Sequence, residues 1–170
     1  MAERDFVGDI ITYSFSGIIP IDDLYKTLNK WARAYGYKII EREHRTLADP
    51  DKRNHTFIWT LERKVTDYVR NKIDVEIKAK NLREVKVKNA KRRYYKGSID
   101  FMFSTYIEKD YEDSYGKNPT VKFLREVFDK YVTETKTKAF EKEVLKERDK
   151  LIAEIRAFLE VQKLKNIEEK

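Results

Sequence analysis

The chain is 170 residues long, with a net charge of +7, 39% charged residues, 41% hydrophobic residues and no cysteine. That length fits one domain, and nine Phe, eleven Tyr and two Trp supply enough apolar surface for a core, which excludes a disordered chain. The lack of Cys excludes a disulfide scaffold, a thiol nucleophile and a thiolate metal site, and no window approaches the roughly 18 consecutive apolar residues of a membrane-spanning helix.

The ion-rich, thiol-free composition, with Gln162 as the single glutamine, leans the way thermophile proteins do. Residues Met1 to Asp5 lack a basic segment leading into an apolar one, so no secretory signal is expected and the cytoplasm is the default compartment. The charge is concentrated. Between Lys78 and Lys96 stand nine Lys and Arg against Glu84 alone, more than the whole net charge, so the remainder of the chain is close to neutral.

Residues 9–16 alternate, with Ile11, Tyr13 and Phe15 on one face and Thr12, Ser14 and Ser16 on the other, the pattern of a half-buried strand. Gly17 and Pro20 end it, and Asp22 is placed to cap a helix with the stripe Leu24, Leu28, Trp31, Ala32 and Tyr35. Gly36 falls just past that helix, where a left-handed residue is needed. A polar strand is expected from Tyr37 to Arg45, a turn over Ala48 to Asn54, and a third strand carrying Phe57, Trp59, Leu61 and Val65. A fourth strand turns Ile73, Val75, Ile77 and Ala79 inward; a turn at Asn81 then leads to a short fifth strand marked by Val85 and Val87. After a hairpin at Lys88 to Lys91 comes a long sixth strand with Ile99, Phe101, Phe103 and Ile107 on one face. Asn118 and Pro119 form a helix start ahead of the stripe Val121, Leu124, Phe128, Tyr131 and Val132. The β-branched run Thr133 to Lys138 is expected to break or bend the chain before a final helix from Ala139 to Leu164.

These elements predict an α+β fold: an antiparallel sheet of about six strands, one helix after the first strand, and two C-terminal helices packed on one face. The chain reads as one domain over 1–170, with the sheet and its helix in 1–113 and the C-terminal helices in 118–165.

Four constellations bear on chemistry. Five glycines, none in a phosphate-cradling arrangement, argue against a nucleotide-binding loop. The two histidines, His44 and His55, lie at the ends of adjacent strands, where Glu41 or Glu43 would complete a metal or acid–base set, although both also suit solvent-facing strand ends. Glu108, Asp110, Glu112 and Asp113 form an acidic run suited to a hard cation or to a solvated strand end. The aromatic residues either fill a core or line a cavity for an apolar ligand between the sheet and the long C-terminal helix. The fourth constellation is the basic hairpin, Lys86, Lys88, Lys91, Arg92, Arg93, Tyr94, Tyr95 and Lys96. Cations interleaved with aromatics fit a surface that follows a phosphate backbone and stacks bases, and guanidinium groups bond phosphate oxygens bidentately. A lysine-rich hairpin also serves to keep a sheet edge from pairing with other strands.

The layout resembles that of helix-grip, START-like domains, although such domains usually carry two helices after the first strand, not one, and one at the end, not two. The segments DDLYKTLNKWARAYGYKIIERE (22–43) and YIEKDYEDSYGKNPTVKFLREVFDKY (106–131) are similar to small uncharacterised archaeal proteins, a resemblance that implies no activity. The expectation is a non-enzymatic binding protein that contacts nucleic acid, RNA in preference because no major-groove reader is evident, with no cofactor or metal. The alternatives are a carrier of an apolar small molecule under the C-terminal helix, or a structural module that forms homo-oligomers through the end of that helix.

Overall fold

A computed structural model describes residues 3–50, 52–66, 68–87, 90–109, 119–120, 123 and 133–168. Five strands, β1 (Glu3–Ile19), β2 (Lys38–Ala48), β3 (Arg53–Lys64), β4 (Val69–Val85) and β5 (Tyr94–Lys109), form one antiparallel sheet in the order β1-β5-β4-β3-β2. Helix α1 (Ile21–Ala34) carries the chain from one edge strand to the other, and α2 (Thr133–Glu168) follows the sheet. The α+β class and the antiparallel sheet are as the periodicity predicts.

Alternation with period two decides which face is buried. On β4, Ile73, Val75, Ile77 and Ala79 join a core with Ile99, Phe101 and Phe103 of β5 and Trp59 and Leu61 of β3. Leu24, Leu28, Trp31 and Ala32 of α1 and Val144, Leu151, Ile155 and Leu159 of α2 complete it. Helix α2 rests on β1, β5 and β4 and against α1. Its position is fixed at one end by charge as well as by packing. Arg63, at the end of β3, donates to Glu147 at 2.5 Å, to Glu143 at 2.9 Å and to the Tyr35 carbonyl at 3.2 Å, while the buried Tyr37 hydroxyl donates to Glu147. Burial and the adjacent Glu147 carboxylate push the Tyr37 hydroxyl far above its ordinary pKa, so it stays a donor at any physiological pH.

Three details differ from the sequence reading. The expected fourth and fifth strands are one strand, because Asn81 takes a left-handed φ of 55° and makes a bulge instead of a turn: the ladder runs from Lys80↔Ser98 to Arg83↔Lys96. Asn tolerates this conformation better than most residues, and its N–H is satisfied by the Asn54 side chain at 2.8 Å. The sheet therefore has five strands, not six. Secondly, α1 begins one residue after Pro20 with no side-chain cap, and Asp22 and Asp23 sit in its first turn, where carboxylates oppose the helix dipole. Gly36 does take the expected left-handed φ of 74°. Thirdly, residues 133–138 are helical, so α2 is a single helix of 36 residues; Thr costs only a few tenths of a kcal/mol in a helix, which tertiary packing overrides. Of the helix expected after Asn118, Pro119, Thr120 and Phe123 are helical, and its apolar stripe lies outside the described residues.

The β4 bulge makes one glycine obligatory. A Cβ on Gly97 would stand 2.8 Å from the Lys80 carbonyl oxygen, 2.9 Å from Leu82 Cδ2 and 3.1 Å from the Asn81 carbonyl oxygen. Two of those neighbours are backbone and cannot swing aside. Gly97→Ala is expected to lower stability by about 1–3 kcal/mol, the range for overpacking, as read from the midpoint of urea unfolding; an unchanged midpoint would show that the two strands do not approach this closely.

Candidate nucleic-acid interface

The basic segment occupies the β4–β5 connection. These two strands lie in the middle of the sheet, and the edges are β1 and β2. Edge protection therefore does not explain its lysines. The last rung of the ladder is Val85↔Tyr94, so Lys86 leaves the end of β4 instead of projecting from a strand. Lys86, Lys91, Arg92, Arg93 and Lys96 are exposed, Tyr94 and Tyr95 are half-buried, and Lys88 lies outside the described residues.

The cations differ in their partners. Lys78 pairs with Glu76 and Lys80 with Asp100, each at 3.1 Å. Ser14 donates to Asp100 at 2.7 Å, and this bond together with Lys80 holds the Asp100 carboxyl below its ordinary pKa. Arg92 reaches across to Asp23 in the first turn of α1, which ties the loop to that helix. Among the described residues, Arg83, Lys86, Lys91, Arg93 and Lys96 form no ion pair. Arg83 and Lys96 stand directly opposite each other in the ladder, an arrangement that disfavours the free sheet and that a bound anion would relieve.

Sequence reasoning missed part of this surface. Arg53 pairs with Leu82 in the register, so the turn before β3 is brought beside the end of β4. Lys52, Arg53, Arg83 and Glu84 line an open groove of about 400 Å³ with Tyr95 in its wall. Among the described lining residues three cations stand against one carboxylate. In sequence, Lys52 and Arg53 are two charges in a polar turn; only strand order reveals their neighbour.

The histidines do come together. A bulge in β2 between Glu41 and Glu43 re-aims the strand so that His44 lies opposite Phe57 while Thr46 lies opposite His55. The Thr46 hydroxyl is 3.3 Å from His44 Nε2 and 3.1 Å from His55 Nδ1. Glu41 Oε1 lies 3.6 Å from His44 Nδ1. Glu43 is drawn instead to Arg45. Both imidazoles lie against the Phe57 ring, with centroids 4.5 and 5.8 Å away.

Beside His44 opens an apolar cleft of about 590 Å³, with walls that include Leu24 and Tyr25 of α1, Phe57 and Trp59 of β3, Ile77 of β4 and Ile99 of β5. Tyr25 meets Trp59 edge-on at 5.2 Å. The cleft lies between α1 and the sheet.

Of the acidic run, Glu108 forms a largely buried pair with Lys72 at 2.7 Å, while Asp110, Glu112 and Asp113 lie outside the described residues. Among the described residues no set of three or more His, Cys, Asp or Glu side chains gathers to hold a metal, and no helix is long and apolar enough to cross a membrane. Val161 and Leu164 stand exposed near the end of α2. The chain matches no family model and no curated protein.

Burial, then the neighbouring His44 and Arg53, lower the His55 pKa below its ordinary value of 6.5. The native state therefore favours neutral His55, and its contribution to stability is present above about pH 6.5 and lost as pH falls through the native pKa. An NMR titration of the ring protons is expected to place the His55 midpoint below 6.5; a midpoint at or above that value would contradict the packing described.

Proposed function

We propose that the protein is a non-enzymatic binding protein whose cationic end, the β4–β5 connection together with the turn before β3, contacts single-stranded nucleic acid, RNA in preference to DNA. The observation that carries this reading is that Arg83, Lys86, Lys91, Arg93 and Lys96, none ion-paired among the described residues, lie at the paired ends of β4 and β5 or in their connection with the half-buried Tyr94 and Tyr95, where Arg83 and Tyr95 share a groove with Lys52 and Arg53. Cations that follow a backbone, with aromatic faces that accept any base, are the means by which proteins hold unpaired strands. RNA is favoured because, among the described residues, α1 and α2 are separated by four strands in the chain and do not make a helix-turn-helix reader of the DNA major groove. Arg92 contributes less than its neighbours because Asp23 already occupies it.

The apolar cleft supports a second reading, a carrier of an apolar small molecule. Its lining is mostly aliphatic and aromatic, and the buried Trp59 indole N–H beside it has no hydrogen-bond partner among the described residues.

Fluorescence anisotropy with a labelled single-stranded RNA tests the first reading. Affinity is expected to fall with salt by about 0.7 log unit per log unit of salt for each phosphate neutralised, so Lys91→Ala with Arg93→Ala should make that slope shallower by about 1.4. Absence of binding at low salt, or a slope that the double variant leaves unchanged, would overturn the proposal. Native mass spectrometry showing a retained apolar molecule instead would favour the carrier.

A further inference from the structure

The arrangement of His44, His55 and Glu41 goes beyond the nucleic-acid reading and does not depend on it. We propose that His44 and His55 form an open binding site for a borderline divalent transition-metal cation, Cu²⁺ or Zn²⁺ in class, with Glu41 orienting His44 from behind.

Convergence is the first argument. His44 Nε2 and His55 Nδ1 both lie within 3.3 Å of one atom, the Thr46 hydroxyl oxygen, so the two nitrogens face a common point although they belong to different strands. The ring centroids are 5.9 Å apart. Two imidazoles bound at about 2.0–2.1 Å to one metal have centroids about 4.5 to 6.4 Å apart as the angle at the metal opens from a right angle to a straight line, a span that includes the observed separation. A cation would sit between that point and the rings, each of which closes by about 1 Å to reach bonds of about 2.0–2.1 Å, with the Thr46 hydroxyl as a weak additional donor.

The second argument is the tautomer each ring must hold. A metal needs the lone pair of the nitrogen it binds, so the other nitrogen must carry the proton. For His44 the far nitrogen is Nδ1, and Glu41 Oε1 is 3.6 Å from it. A slight closure makes the carboxylate–histidine pair that fixes ring orientation and raises ligand basicity in metal sites.

Preorganisation is the third. The β2 bulge places His44 in register with Phe57, and both rings are held against the Phe57 face. The remaining coordination positions are left to water or to a ligand at the mouth of the cleft, which His44 lines. With two strong protein ligands the site favours Cu²⁺ over Zn²⁺, following the general affinity order for nitrogen donors.

The test uses the full chain freed of metal with EDTA and titrated calorimetrically with Cu²⁺ and with Zn²⁺. One cation per chain is expected, Cu²⁺ the tighter. His44→Ala and His55→Ala should each weaken binding by at least tenfold, and Glu41→Gln by about 10–100-fold, the effect of losing an orienting partner. Thermal melts in EDTA show whether each variant folds. The electron paramagnetic resonance spectrum of the Cu²⁺-loaded unmodified protein needs no variant and should show coupling to two imidazole nitrogens. Absence of stoichiometric binding, binding that survives both alanine variants, or a spectrum with fewer than two coupled nitrogens would each overturn the proposal.

Discussion

The close approach of β4 and β5 at Gly97 is the constraint on which the cationic end of the molecule depends. With Asn81 in a left-handed conformation, β4 absorbs an extra residue, and Gly97 leaves room for the displaced carbonyls. The two strands therefore stay paired to Val85↔Tyr94 instead of separating at Asn81. Had β4 turned there, the cations beyond it would belong to a separate short strand. Instead they emerge from the middle of the sheet, flanked by Lys52 and Arg53 on one side and by the first turn of α1, which Arg92 reaches through Asp23, on another.

A second interaction decides which part of the inner face α2 covers. The Arg63–Glu147 pair and the Tyr37 hydroxyl hold α2 at the far end of β3. Because both charges are largely out of water, loss of either partner would strand the other, which makes this contact more constraining than an exposed pair. Helix α2 then lies over β1, β5 and β4, whereas α1 faces Phe57 near the opposite end of β3. The apolar cleft and the histidine pair both occupy that end.

Much of this was legible in the sequence because it rests on local periodicity. Strand alternation identified the inward residues of β4 and β5, and Gly36 marked the end of α1 with the conformation it takes. What failed was local in another sense: Asn81 carries the same turn signal whether the chain reverses or merely bulges, and Thr133 to Lys138 carry a propensity too weak to break a helix that buries Val144, Leu151, Ile155 and Leu159. The site was half visible. The charge cluster could be counted, but its place between central strands, the addition of Lys52 and Arg53, and the choice of Glu41 over Glu43 beside His44 all follow from register. Register is set by long-range pairing that a one-dimensional pattern does not encode.

The central claim is that one end of the sheet, built from segments distant in sequence, acts as a single anion-binding surface. The most direct measurement is an amide chemical-shift map of the isotopically labelled protein titrated with a short single-stranded RNA at low salt. The account predicts perturbations that rise together at 52–53, 83–86 and 91–96 and vanish as salt is raised. Shifts confined to the cleft residues Tyr25, Phe57 and Trp59, or no shifts at all, would contradict it.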